Sequence, residues 1–245
     1  MHKKIEGIII STVDYKENSK IINILTETEG LIGVLAKGCK NIKSKISATS
    51  SVLTYGIFYL NYYKGNMPLL IEVDIKDSFK YVRKDLLKTN YAYFLLELAS
   101  QVYKHDKYSK IYNLLIIGLK KINEGFDPQI ITNIVELQLL EHLGIKPEVE
   151  HCVACGTITD IITVSSYKGG YLCKNCVGNE FIYQLKTIKL IRAFCYLDLS
   201  KITKIDISDS VKREIGIFID DYYERYSGLY LKSKEMLEKI TKMGI

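Results

Sequence analysis

The spacing of apolar residues changes once along this chain, near residue 80, from the period of strands to that of helices, and this limits the fold class to α+β. Before that point apolar runs stand at Ile8–Ile10, Ile21–Leu25, Leu31–Leu35, Val52–Leu60 and Leu69–Ile75. Between them lie Asp14-Tyr15-Lys16-Glu17-Asn18, Thr28-Glu29-Gly30 and Lys64-Gly65-Asn66, where glycine and asparagine supply the positive φ of tight reversals. One connection is long and basic, from Gly38 to about Ser51. Five short strands with a long connection after the third predict a small closed β-barrel of the OB type over residues 1–79, although another five-stranded arrangement gives the same pattern.

Beyond residue 80, Tyr91, Leu95, Leu98 and Val102 share one helix face, and Ile111, Leu114 or Leu115, Gly118 and Ile122 share another. Asp127-Pro128 reads as a cap and first turn, opening a helix that ends near Gly144. Further helices are expected around Ile188, Ile191 and Phe194, and around Val211, Ile215, Phe218, Ile219 and Tyr222 with Ser208 or Asp209 as cap. Lys234–Lys242 is amphipathic, and the short tail after about Lys239 is the one candidate for disorder. The expected organisation is a barrel domain at 1–79, a mainly α-helical domain in two parts at 80–150 and 181–245, and an element at 151–180 inserted between them.

That element carries the sharpest chemical signal. Cys152-Val153-Ala154-Cys155 and Cys173-Lys174-Asn175-Cys176 are two knuckles at the spacing of a four-cysteine zinc site, and Gly156 leaves room for the backbone to turn toward sulfur. Thr163 to Tyr171 reads as a hairpin with a glycine turn that returns the second knuckle to the first. Four thiolates fill a tetrahedral shell and leave no position for an activated water, so the expected cofactor is one structural Zn2+, and no catalytic residue is assigned. The competing readings are a redox pair or buried apolar thiols. His151 is a weak competitor as a ligand, since adjacent residues rarely both reach one ion. Cys195 reads as a core residue of a helix, and Cys39, in the basic connection, as an exposed thiol. His105 and His142 read as surface or packing residues of helices.

The formal net charge of +6 decides little, but its distribution does, because no carboxylate occurs between Glu29 and Glu72 while Lys37, Lys40, Lys43, Lys45 and Lys64 do. Lysines so placed attract phosphates with little preference for base sequence. Tyr55, Phe58, Tyr59, Tyr62 and Tyr63 follow on a strand that turns some rings outward, where they offer faces to unpaired bases, Tyr59 foremost. The plainer reading is a solvated loop beside aromatic residues that fill the barrel. No phosphate-cradling loop, dinucleotide fingerprint, deaminase motif or serine triad is present, so the chain is not expected to be an enzyme. Its apolar runs are far shorter than the roughly 18 residues of a membrane span. The start has neither an apolar signal region nor a cleavage site, so a cytoplasmic location is expected. Six cysteines in that compartment favour metal binding over disulfides.

Over nearly its whole length the chain resembles the RecO family. The residues that carry the likeness are Gly7-Ile8-Ile9-Ile10, Tyr15-Lys16-Glu17, Ala36-Lys37-Gly38-Cys39-Lys40-Asn41-Ile42-Lys43-Ser44-Lys45, Leu143-Gly144-Ile145-Lys146-Pro147 before Cys152-Val153-Ala154-Cys155-Gly156, and Gly169-Gly170-Tyr171-Leu172-Cys173-Lys174-Asn175-Cys176. The resemblance implies an OB fold, a helical domain and a zinc element that serve recombinational DNA repair in the RecF pathway. It also implies binding of single- and double-stranded DNA, annealing of complementary strands, partnership with RecR and single-strand-binding protein, and indirect assistance to RecA, with no small-molecule substrate. The DNA-binding candidates are Lys37, Lys40, Lys43, Lys45, Lys64 and Tyr59. Many relatives have Asp and Arg where Ser19 and Lys20 stand, and arginines where Lys40 and Asn41 stand. Lysine keeps the charge but lacks the planar fork of arginine. The alternative is a zinc-stabilised protein-interaction scaffold with incidental DNA affinity, and a nucleic-acid enzyme is the third and weakest reading.

Overall fold

In the computed structural model, which describes residues 1–63, 65–106 and 110–242, the N-terminal apolar runs lie in strands β1 (His2–Tyr15), β2 (Ser19–Thr26), β3 (Gly30–Ala36), β4 (Tyr55–Asn61) and β5 (Leu69–Asp77), except that Val52 to Thr54, expected to begin the fourth strand, form a turn before it with Leu53 at φ +68°. They close into a barrel in the order β1-β2-β3-β5-β4. Strand β1 outruns its apolar segment because it serves two neighbours: Gly7–Tyr15 pair with β2, and His2–Ile8 pair with β4. A register shift between Ile9 and Ser11 marks the bend. All pairings are antiparallel except the closing one, where Leu35 of β3 meets Leu69 of β5 in parallel. Alternate residues of the strands point inward, and Ile5, Ile9, Ile22, Ile24, Val34, Phe58, Leu60, Leu70 and Val73 form one core cluster. Each such side chain contributes roughly 1.5–3 kcal/mol on full burial.

Gly56 lets β4 and β5 approach at a second register shift, between Tyr55 and Gly56. A Cβ there would lie 2.2 Å from the Asp74 carbonyl oxygen, a backbone atom that cannot swing aside. Gly56→Ala is expected to cost about 1–3 kcal/mol, read as a lower urea midpoint at unchanged m-value.

The chain divides into two compact units, Met1–Glu124 with the C-terminal stretch from Leu231, and Gly125–Tyr230. In the first, the barrel is followed by α1 (Lys80–Arg83), α2 (Leu86–His105) and α3 (Ile111–Asn123). Asp85 caps α2 by accepting from the Lys88 amide. In the second, α4 (Pro128–His142) begins as its sequence dictates, with Asp127 accepting from the Gln129 and Ile130 amides and Pro128 in the first turn. It is the most deeply buried helix of the unit, with ten residues buried, among them the polar Thr132, Asn133 and Glu136. The hairpin of β6 (Ile161–Ser165) and β7 (Gly170–Cys173) comes next, then α5 (Leu185–Tyr196) and α6 (Asp209–Tyr226). Gln138 of α4 donates to the carbonyls of Phe194 and Leu197 at the end of α5, and the Tyr223 hydroxyl of α6 donates to the Glu136 carbonyl. The chain then returns to the first unit as α7 (Lys232–Lys242), which packs on α2. There the Glu97 carboxylate accepts from the Lys232 and Ser233 amides and the Ser233 hydroxyl. Among the described residues no helix is long and apolar enough to cross a membrane.

Candidate metal centre and nucleic-acid interface

The hairpin delivers the second knuckle to the first, as the glycine turn requires. Thr163, Val164 and Ser165 pair with Leu172, Tyr171 and Gly170, and Gly169 closes the turn at φ +84°. Cys173 ends β7, and Cys176 turns back with its amide donating to the Cys173 carbonyl. In the first knuckle the Gly156 amide donates to the Cys152 carbonyl at 2.8 Å, with Gly156 at φ +76°. The Val153 amide donates to the Tyr171 carbonyl and the Lys174 amide to the Asp160 carbonyl, fastening the two knuckles together.

The Sγ atoms of Cys152, Cys155, Cys173 and Cys176 all lie within 4.8 Å of one another. Those of Cys155 and Cys173 are 3.7 Å apart, well outside disulfide bonding. Tetrahedral ligation at about 2.3 Å would set sulfurs about 3.8 Å apart, so the donors fit a thiophilic metal ion in kind, number and spacing. The electrostatics agree. Burial works against ionising Cys152, yet backbone amides of Cys173, Ala154 and Cys155 pull its pKa down to about 6. Hydrogen bonds with the Cys155 and Cys173 thiols push Cys176 up to about 12. One thiolate forms readily, whereas Cys155 and Cys176 resist until a cation offsets the accumulating charge. His151 does not join the cluster; its Nδ1 stands 3.3 Å from a Glu148 carboxylate oxygen. Cys195 is a core residue of α5 as expected, with burial pushing its thiol up to about 11.

Cys39 is a correction. It is not an exposed thiol but is 3% exposed and belongs to the barrel core, as does Ile46. Those two anchors explain the course of the basic connection. The Gly38 amide donates to the Ser19 hydroxyl and the Lys40 amide to the Asn18 carbonyl, while Asn41 and Ser44 form successive turns. Between the anchors the backbone is held close to the barrel, and Lys37, Lys40, Lys43 and Lys45 are all exposed. Lys40 is paired with Asp14 of β1 at 2.9 Å, which holds the Asp14 carboxyl below its usual range. Among the described residues no carboxylate pairs with Lys37, Lys43 or Lys45. Lys64 lies outside the described residues.

The aromatic residues separate by environment. Tyr55 and Phe58 are buried, Tyr55 donating to Glu6 at 2.6 Å. Tyr62 is half-buried and donates to Glu29. Tyr59 is half-buried, donates to Asp74 at 2.7 Å, and has the Lys4 amine 5.0 Å from its ring centre. Tyr63 is exposed and shares a groove of about 540 Å³ with Tyr15, Lys37 and Met67. Sequence reading passed over Tyr15 because it introduces a turn. The available signal was a large ring at a strand end beside a basic segment.

Two family models cover most of the chain: Recombination protein O N terminal matches residues 1–79, and Recombination protein O C terminal matches residues 83–235. The chain is 37% identical over 245 residues to the DNA repair protein RecO of Bacillus pumilus (strain SAFR-032), spanning 98% of this chain and 95% of that protein. It is 36% identical over 248 residues to the DNA repair protein RecO of Bacillus subtilis (strain 168), spanning 99% and 96%. With the protein of the same name from Halalkalibacterium halodurans the identity is 34% over 248 residues, spanning 100% and 97%. With both halves matched and relatives aligned end to end, the chain belongs to the RecO family of DNA repair proteins.

Proposed function

We propose that this chain is a non-enzymatic DNA-binding recombination mediator of the RecF pathway. In this reading an OB-type barrel holds single- and double-stranded DNA through Lys37, Lys40, Lys43 and Lys45, with Lys64 and Tyr59 as further contacts. The protein brings complementary strands together, and with RecR it assists RecA on strands covered by single-strand-binding protein, in the cytoplasm at the nucleoid. One Zn2+ held by Cys152, Cys155, Cys173 and Cys176 clamps the two knuckles and takes no part in chemistry.

The carrying observation is the anchored loop, in which Cys39 and Ile46 are buried while the lysines between and beside them face solvent. A loop fixed to the barrel presents its ammonium groups at low entropic cost, and an annealing protein needs such charge to offset repulsion between two strands. The test is annealing of fluorescent complementary oligonucleotides, followed at about 50 and 200 mM salt. The expected result is acceleration over the spontaneous rate that fades at the higher salt. Spontaneous rates at both would reject the reading.

One observation favours the scaffold reading. A groove of about 970 Å³ in the second unit is bordered by the exposed apolar residues Ile158, Leu185 and Tyr196. If scaffolding is the main role, a variant without DNA affinity still binds purified RecR and still supports repair; if mediation is, repair fails with DNA binding.

A further inference from the structure

We propose that the groove lined by Tyr15, Lys37, Tyr63 and Met67 is a subsite for the unpaired bases of a single strand, with the two tyrosine rings as stacking partners and Lys37 serving the adjoining phosphate. The inference rests on the DNA-binding reading above and adds a division of labour to it. The lysine loop serves any phosphate backbone, whereas this groove distinguishes single strands from duplex.

The groove is built at the barrel's closure, where the end of β1 brings Tyr15, the end of β3 brings Leu35 and Lys37, and the connection into β5 brings Tyr63, Asn66 and Met67. Tyr15 and Tyr63 are 39% and 53% exposed, although the same barrel buries Tyr55 and Phe58. Neither ring is spent on the core. Each is nonetheless placed: Tyr63 accepts a hydrogen bond from the Asn61 side chain at 2.8 Å, and the Asn66 amide donates to its carbonyl. The Lys16 amine lies 5.4 Å from the Tyr15 ring centre. Among the described residues the lining contains no carboxylate and has Lys37 as its charged member, so its potential suits an anion. Its floor of Ile21, Leu35 and Leu69 is apolar, and its volume of about 540 Å³ is that of a small-molecule cleft. Apolar walls, aromatic faces and a rim cation are complementary to a nucleobase with its phosphate. A paired base has both faces covered and is refused. Tyr59 is in the opposite situation, tied to Asp74 with Glu72 directly across the strands from it.

The experiment measures binding of the full chain to three labelled probes of equal length: a thymidine oligonucleotide, the same backbone made of abasic sites, and a duplex. Replacing both rings, Tyr15→Ala with Tyr63→Ala, is expected to weaken the thymidine strand by about five- to hundredfold per ring engaged, leaving the other two probes within about twofold. Tyr15→Phe with Tyr63→Phe keeps the rings and should keep the affinity. Since the chain has no tryptophan, Tyr63→Trp supplies a lone indole whose emission should be quenched by the single strand and not by duplex. Equal losses on all three probes, or no loss on the thymidine strand, overturn the subsite. If Lys43→Ala with Lys45→Ala weakens every probe while the tyrosine pair weakens none, DNA binding stands and the groove proposal falls. Absence of binding by the unaltered protein removes both.

Discussion

Replacing Cys152 and Cys173 together by serine is expected to release the metal and lower the melting temperature by at least about 12 °C, equivalent to roughly 3 kcal/mol at 4–8 °C per kcal/mol for a unit of this size. The reason is the poverty of the element's own core. Cys152, Leu172 and Cys173 are its buried cluster, with Val153, Ile161 and Cys176 only partly covered. Even with Val164 and Tyr171 of the hairpin also buried, so few apolar side chains do not offset the entropy of fixing two knuckles and a hairpin, which costs roughly 1–2 kcal/mol per residue. Metal ligation, worth about 10–16 kcal/mol in isolated zinc-finger peptides, is of the size required. Metal analysis of the purified chain should return one zinc, and a strong chelator should mimic the double substitution. Cys195→Ala, remote in sequence from both knuckles, should leave the metal in place. An unaltered melting temperature in the double variant, with no metal in the native chain, would falsify the structural clamp.

What the sequence revealed was whatever is encoded locally. The strand-to-helix change in period, the Asp127-Pro128 helix start and the cysteine knuckles each depend on residues a few positions apart, and each stands where expected. What it concealed depends on register and return. Cys39 sits among polar residues, so its burial follows from the loop's attachment to Ser19 and Asn18 and not from its neighbours in sequence. Lys40 reaches Asp14 because β1 and β2 pair Asp14 with Lys20. The capping of α7 by Glu97 joins segments 136 residues apart in sequence, and no local pattern announces it. The polar start of β1 likewise becomes strand because Asn61, Leu60 and Tyr59 of β4 stand opposite His2, Lys3 and Lys4. Tyr15 carries a local signal, a large ring at a strand end, but its neighbour in the groove, Tyr63, is distant in sequence, so the groove itself is not legible there.

Changing Lys37, Lys40, Lys43 and Lys45 together to alanine should reduce single-strand affinity at 50 mM salt by about three orders of magnitude. Four phosphate contacts at about 0.7 each give a logarithmic salt slope of about 2.8, which over the roughly 1.3 decades from 1 M down to 50 mM salt amounts to about 3.6 orders of magnitude, lowered by the competing Lys40–Asp14 pair. The unaltered protein should therefore lose about fiftyfold in affinity between 50 and 200 mM from these contacts, and the variant should lose that component of the slope. Folding should survive, since all four side chains face solvent and exposed substitutions usually stay within about 0.5 kcal/mol. The four positions are not equal. The Lys40 amine already has the Asp14 carboxylate as partner, so binding a phosphate must compete with that pair. Lys40→Ala alone should cost less than Lys43→Ala alone, and Asp14→Asn should tighten binding by freeing the amine. Anisotropy titrations of one oligonucleotide at several salt concentrations measure both affinity and slope. A quadruple variant with unchanged affinity and slope places the DNA surface elsewhere on the chain. A variant with reduced affinity but unchanged slope means that the loop acts through shape, since contacts that displace no counterions leave the salt dependence where it was.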